Sequence, residues 1–402
     1  MYLFYYMVNL MDGTNRFRVL IYSDHFYPSI GGSENYAIDL AKELSRLGHI
    51  VGIITPQTYE SEDNFSFIVY RLKRSFLVHK SNLNFLEFPA IIKGFHPDIF
   101  HINYQTGGEN LLTFLLRVMR VPIVLTYHAD HVVTLGKMID EIQMFSTFRL
   151  LKLILLQSNR DYDKMKSRGI SNKKLKVLNF SGVDTYKYHC NSNKSASDGS
   201  PIRVVCISRL DDSHLYKGID LLLETALNKR ELFDRRILEL NLVGEGNLRK
   251  KYEAMVIFNR IPNVNFRGDL SDEDLLKYLC ASDYLILPSI NSGEGFGRVA
   301  LEAISCRTPV IVSKYAGISE LLQKYGSGIV YDPFSGTNVF EIITQLNSSA
   351  FERDNLVRNG QMMIANEGLT LHIAVKKTLK YYEAVVRNDL NSPQFNPWVS
   401  YP

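Results

Sequence analysis

A chain of 402 residues is too long for one ordinary hydrophobic core and points to two domains of about 150 to 200 residues with a cleft between them. With 46% hydrophobic and 22% charged residues it is globular, which excludes disordered and fibrous classes. The net charge of +4 divides into 22 Lys/Arg against 17 Asp/Glu over residues 1–190 and 24 against 25 beyond, too weak a bias for nucleic acid but suited to an anionic membrane or a phosphorylated substrate.

The opening MYLFYYMVNLM is apolar yet lacks a cationic start and a cleavage site, and it is too short to span a bilayer. Residues 1–16 are therefore expected to be a flexible extension, with Met7 or Met11 as alternative starts. RVLIYS (18–23), HIVGIIT (49–55), DIFHIN (98–103) and PIVLTYH (122–128) predict buried strands, and SENYAIDLAKELSRLG (33–48) an amphipathic helix capped by Ser33. The segments YRLKRSFLVHK and FRLLKLILL set Arg71, Lys73, Arg74, Arg149 and Lys152 beside apolar residues, as a segment lying on an anionic membrane surface would. SNRDYDKMKSRG reads as a charged helix.

The polar run CNSNKSASDGS stops the pattern and predicts a linker at 191–200. Strands then resume in IRVVCIS (202–208), ELNLVG (239–244), VNFRG (264–268), YLILPS (284–289) and PVIVS (309–313). In SDEDLLKYL, Ser271 caps a helix whose first turn is acidic. A long amphipathic helix at about 369–388 follows. Strands apolar on both faces, alternating with helices, predict an α/β protein with two Rossmann-like doubly wound parallel sheets facing a cleft. The expected domains are 1–190 and 201–370, with 371–402 crossing back to the first. Cys190, Cys206, Cys280 and Cys306 show neither metal spacing nor a paired framework, so a reducing cytoplasm is expected.

Chemistry gathers where predicted strands end. After YLILPS, the stretch GEGFGRVALEA places Glu294 and Glu302 around Gly295, Phe296 and Gly297, where the chain opens a helix. Open α/β sheets bind ligands beyond the carboxyl ends of their strands. Helix amides there donate to oxygen atoms, and two carboxylates beside them suit a ligand rich in vicinal hydroxyls, such as a sugar or a ribose. ISRLDDSHLYKGIDLLLETA adds Arg209 and Lys217, cations able to neutralise a diphosphate. In the first half, Gly31 and Gly32 form a turn between strand and helix that lacks the dinucleotide fingerprint, and TYHAD sets His128 and Asp130 at a strand end.

EGFGRVALEA resembles the E-x7-E signature of retaining glycosyltransferases of family 4, which have the GT-B architecture. FYPSIGGSENYAIDLAKELSRLGH, SRL with YKG, LVGEG, VNFRGDLSDEDL and SDYLILPS follow the family's order over roughly residues 17–335. The resemblance implies that Glu294 and the 295–297 backbone bind the donor sugar, Glu302 the ribose, and Arg209 and Lys217 the diphosphate. It also implies that Gly32 approaches those phosphates and that His128 lies against the transferred sugar. The chain departs from the family at Arg298, often an aliphatic position, and in NFSGVD, where Asn-Gly-Val-Asp is frequent.

The expected enzyme moves a sugar from a nucleotide-diphosphate donor to a glycan or lipid-linked acceptor with retention, using no metal and no cofactor. The expected setting is cytoplasmic, with peripheral contact on the inner membrane face. Three alternatives stand beside it: a metal-dependent transferase using Asp161 and Asp163 of DYD, a nucleotide-sugar epimerase, and a non-catalytic binder or partner subunit.

Overall fold

The computed structural model describes residues 16–28, 31–56, 64–72, 87–103, 113, 116–128, 147–178, 182–190 and 200–390. The strands are β1 (Arg18–Tyr22), β2 (Ile50–Pro56), β3 (Ile68–Leu72), β4 (Ile99–Ile102), β5 (Ile123–Thr126), β6 (Leu153–Leu156) and β7 (Leu175–Val177), then β8 (Ile202–Ile207), β9 (Leu238–Val243), β10 (Val264–Gly268), β11 (Tyr284–Leu287), β12 (Val310–Ser313) and β13 (Ile329–Tyr331). The helices used below are α1 (Gly32–Arg46), α2 (Phe88–Phe95), α3 (Asn159–Ser167), α4 (Ile219–Asn228), α5 (Arg230–Asp234), α6 (Arg249–Phe258), α7 (Asp272–Ala281), α8 (Arg298–Ser305), α9 (Ser319–Tyr325), α10 (Val339–Asn347), α11 (Ala350–Asn366) and α12 (Leu371–Arg387).

The strands form two wholly parallel sheets, ordered β3-β2-β1-β4-β5-β6-β7 and β10-β9-β8-β11-β12-β13. In each, the order turns back beside the first strand, between β1 and β4 and between β8 and β11, which leaves a crevice at the carboxyl ends there. The alternation of side chains along each strand feeds two cores per sheet. Leu20, Phe100, Leu125 and Ile154 pack on one face of the first sheet with Phe88 and Ile92 of α2, while Val19, Val124 and Leu155 pack on the other with Tyr36 and Leu40 of α1 and Val375 and Tyr382 of α12.

The chain divides into two compact units. One holds the described residues up to His128, those of 147–178 and those from Leu371 onward; the other holds 182–190 and 200–370. The change of unit thus precedes residue 182, ahead of the segment expected to link the domains, and of that segment 191–199 lie outside the described residues. The reason is visible in the contacts of 182–190. Val183 pairs with Thr370, Lys187 lies 2.7 Å from Asp272, and the Ser305 hydroxyl donates to the Tyr188 carbonyl at 2.5 Å.

Several expectations need correction. Cys190 and Cys280 are joined in a disulfide with Cα atoms 5.7 Å apart, so the cysteines are not all single and their pattern no longer argues for a reducing compartment. Spacing could not show this pair, because the fold brings together residues 90 positions apart. Ser33 does not cap α1, which starts one residue earlier with Gly31 as its cap and no side-chain bond; Ser33 donates to Glu34 at 2.8 Å instead. The apolar half of FRLLKLILL is β6, buried at every residue inside the first sheet, so only Arg149 and Lys152 of that segment face solvent. Lys73, Arg74, Asp130 and residues 1–15 lie outside the described residues. Among the described residues, no helix is long and apolar enough to cross a membrane.

The C-terminal helix is tied to the first sheet by a buried contact between Tyr382 OH and His101 Nδ1 on β4, while His101 Nε2 meets Thr126 Oγ1 at 3.1 Å. Burial, with a smaller push from the His128 charge, lowers the His101 imidazole from 6.5 to about 3. Between those values the unfolded chain takes up a proton that the folded one refuses. The stability from neutral His101 is therefore complete above pH 6.5 and is lost as pH falls towards 3. The melting temperature should drop from pH 6.5 to 4 more steeply in the native protein than in His101→Asn, and parallel curves would contradict this.

Candidate active site

Three connections of the second unit build the site. Past β8 the chain runs through Arg209 into a short 3-10 helix, Asp212–Lys217, which presents Tyr216 and Lys217. Gly218 ends it in the left-handed region at φ 73°, and a side chain there would sit 2.2 Å from the Pro288 carbonyl. Glycine thus lets the β8 connection close onto the β11 connection, where Ile290 N donates to the Tyr216 carbonyl at 2.8 Å.

That closeness puts Lys217 Nζ 2.6 Å from Glu294 Oε2, with the two side chains 19% and 7% exposed. The fully buried Ser289 hydroxyl donates to the same carboxylate oxygen at 3.0 Å. Burial is the largest single influence and would lower the Lys217 ammonium, but the Glu294 charge and hydrogen bond, with Tyr216 and Cys206, together outweigh it and hold it above lysine's ordinary value. Tyr216, whose ring lies 5.4 Å from Lys217 Nζ, is pushed by burial up to about 12, against the pull of Lys217 and Arg209. Lys217 thus sets a positive charge against the Glu294 carboxylate, at the end of the connection that also carries Arg209.

The third connection is the glycine turn. Gly317 N donates to the Gly295 carbonyl at 2.7 Å and Ile318 N to that of Phe296 at 2.8 Å, so the turn is clamped by the segment entering α9. Phe296 is buried. Gly297 adopts φ 85°, and a side chain there would meet Leu287 Cδ2 at 2.8 Å. It caps α8 without a side-chain bond, so no cap side chain competes for the amides that open the helix. One turn on, Glu302 is buried and accepts from Arg298 Nε at 3.1 Å.

In the first unit, Gly31, Gly32 and His128 lie at the carboxyl ends of β1 and β5. Gly32 is exposed and a side chain there would meet nothing within 4 Å, so packing within the unit does not demand glycine. His128 is half-buried, its Nε2 2.9 Å from Asn103 Oδ1 and its Nδ1 3.4 Å from Gln157 Nε2. An amide oxygen can only accept, which assigns a hydrogen to Nε2. Asn103, fully buried, also donates to the Ser33 carbonyl at 2.9 Å and so ties His128 to the start of α1.

The structure therefore brings Lys217 and Glu294 together, with Arg209 earlier on the same β8 connection, and places Gly295, Phe296, Gly297 and Glu302 on the adjoining turn and helix; Gly31, Gly32 and His128 belong to the first unit, beyond the carboxyl ends of β1 and β5. Sequence reasoning missed Ser289, Tyr216, Asn103 and Gln157. Ser289, Asn103 and Gln157 lie just past strand ends and Tyr216 beside Lys217 in the 3-10 helix, but such residue types at these places are too common to stand out. Asp161 and Asp163 do not converge. Asp161 is buried and bonded by the Ser158 hydroxyl at 2.8 Å, and Asp163, two residues on in α3, is exposed on another side.

Two family models match the chain in succession, "Glycosyltransferase Family 4" over residues 30–185 and "Glycosyl transferases group 1" over residues 190–363. The chain belongs to the GT-B glycosyltransferases. It is 24% identical over 352 residues to the glycosyltransferase MJ1178 of Methanocaldococcus jannaschii, covering 84% of this chain and 90% of that one. To the amylovoran biosynthesis glycosyltransferase AmsK of Erwinia amylovora it is 23% identical, covering 74% of each. Among solved structures, sucrose-phosphate synthase from Thermosynechococcus elongatus superposes with a TM-score of 0.76 at 18% identity, over 92% of this chain and 99% of that one. Anabaena HepE in complex with UDP superposes with a TM-score of 0.72 at 18% identity, over 91% and 99%.

For this glycosyltransferase, the Lys217–Glu294 pair gives a direct test of the geometry. Removing one partner of a buried pair costs about 3 to 5 kcal/mol because the other charge is left uncompensated. Lys217→Ala should lose stability on that scale in urea denaturation, and adding Glu294→Gln should restore part of it. Purely additive losses would mean that the two side chains do not interact.

Proposed function

We propose that the protein is a retaining glycosyltransferase that moves a sugar from a nucleoside-diphosphate sugar to an acceptor hydroxyl, with a lipid-linked glycan of surface polysaccharide synthesis as the acceptor. The observation carrying this reading is the buried pairing of Lys217 with Glu294 beside the glycine turn that opens α8, on a connection that also carries Arg209. Cations and helix amides on one side suit a diphosphate; carboxylates on the other suit sugar and ribose hydroxyls. Polysaccharide biosynthesis in the name of AmsK and UDP in HepE support the class of product and donor.

In this mechanism Arg209, Lys217 and the α8 amides stabilise the charge that develops as the diphosphate leaves. The leaving oxygen, on the same face as the acceptor, takes the acceptor's proton, so configuration is kept without a covalent intermediate. Glu294 supports this role over a nucleophilic one, because its carboxylate already accepts from Lys217 and Ser289 and offers little free charge to attack carbon. It holds sugar hydroxyls, while Glu302 holds the ribose. Gly32 leaves room for the phosphates, and His128, fixed by Asn103 and Gln157, lies against the sugar. No cofactor and no metal enters. A cytoplasmic enzyme touching the inner membrane face through the basic first half completes the reading, and exposed Arg149 and Lys152 support that contact by charge alone.

A thermal-shift panel of nucleotide sugars tests the donor class, since a ligand at 100 times its dissociation constant stabilises by about 2.7 kcal/mol. With the donor in hand, Glu294→Ala should bind the nucleoside diphosphate normally while turnover falls on the order of a hundredfold. Glu302→Ala should weaken nucleotide binding by roughly 1.5 to 3 kcal/mol, read by titration calorimetry. Turnover should survive a chelator; loss that manganese restores would sink the metal-free mechanism. No response to any nucleotide sugar would sink the reading as a whole.

A further inference from the structure

Arg298 opens α8 directly after the glycine turn, and its Nε donates to Glu302 Oε1 at 3.1 Å with the two side chains only 11% and 8% exposed. Helix stability does not account for this pair. A cation in the first turn sits at the positive end of the helix dipole, and Arg preceding Glu by four residues is the weaker orientation of such a pair. Burial adds a desolvation cost for both charges that a solvated surface pair avoids. An aliphatic side chain here would fill the same space without either cost. The arrangement is accounted for by what it does to Glu302, a carboxylate almost wholly removed from water that needs a counter-charge to stay ionised and a fixed donor to hold its plane.

We infer that Arg298 is a positioning residue that keeps Glu302 ionised and aimed, and so sets how strongly the site discriminates ribonucleotides from their deoxy counterparts. The inference rests on Glu302 as the ribose acceptor. An ionised carboxylate held on one oxygen meets the ribose hydroxyls in one orientation, at little ordering cost on binding. Without the guanidinium, burial favours the protonated acid, which accepts more weakly and turns more freely.

The test is the affinity ratio between uridine diphosphate and its 2′,3′-dideoxy form, measured by titration calorimetry; adenosine or guanosine diphosphate replaces it if one proves the better ligand. The native protein should prefer the ribonucleotide by at least about tenfold. Glu302→Gln should bring the ratio close to one. Arg298→Met, which keeps the stem and removes the guanidinium, should do nearly the same although Glu302 is present, and the double variant should lose nothing further. A purely structural role for Arg298 would lower the melting temperature and leave the ratio unchanged. Should Arg298→Met not fold, Arg298→Lys keeps the charge but not the Nε donor, and should give an intermediate ratio. A native ratio in either Arg298 variant, with Glu302→Gln collapsed, overturns the inference and spares the ribose role. A native ratio in Glu302→Gln overturns both.

Discussion

The ion pair between Lys217 and Glu294 is the contact on which the second unit's crevice depends. It joins the connection leaving β8 to the one leaving β11, the two strands between which the sheet order turns back. Neither charge is stable there alone. Lys217 is surrounded by Tyr216, Cys206 and Glu294, and burial pushes the Cys206 thiol up to about 12, as a site poor in water does. The pair can form only because Gly218 brings the backbone against Pro288, so one residue without a side chain and two with opposite charges form one device.

The same logic recurs on a smaller scale along the turn. Gly297 removes a clash with Leu287, which lets α8 start close to the strand ends, and the clamp from Gly317 and Ile318 holds the preceding carbonyls away from the helix amides. Glu302 then lies one turn inside the helix with Arg298 above it. The site is thus layered. Backbone donors come first, a paired carboxylate flanks them, and a second paired carboxylate lies deeper.

How much of this was legible differs by element. Strands such as β1, β5, β8 and β11 are short apolar runs ended by polar residues, and their positions follow from composition to within a few residues. β6 was hidden, because Arg149 and Lys152 made Leu153–Leu156 look like part of an amphipathic surface segment, whereas periodicity alone cannot separate a fully buried strand from an apolar stripe. β3 was obscured by Arg71, which reaches the Tyr27 carbonyl at 2.8 Å while its strand stays at the sheet edge. The charged residues of the second crevice could be named from spacing; their pairing could not, since 77 positions separate Lys217 from Glu294. Ser271 accepts from the Asp274 amide, a bond readable in four consecutive residues. Ser33 failed as a cap because the helix starts one residue earlier, at Gly32 with extended Gly31 as its cap, which puts Ser33 inside the first turn.

The disulfide between Cys190 and Cys280 closes a ring around β8, β9 and β10. Arg209 and Lys217 lie inside that ring, and Glu294 and Glu302 lie outside it. Even in the unfolded chain, half of the crevice is therefore carried on a covalent circle and half on an open tail. On loop-entropy grounds a circle of 90 residues limits the unfolded ensemble by about 4 to 5 kcal/mol. That limit acts on the whole circle, β8 to β10 with their connections, so the cationic half of the site belongs to the constrained part of the unfolded chain and the carboxylate half does not.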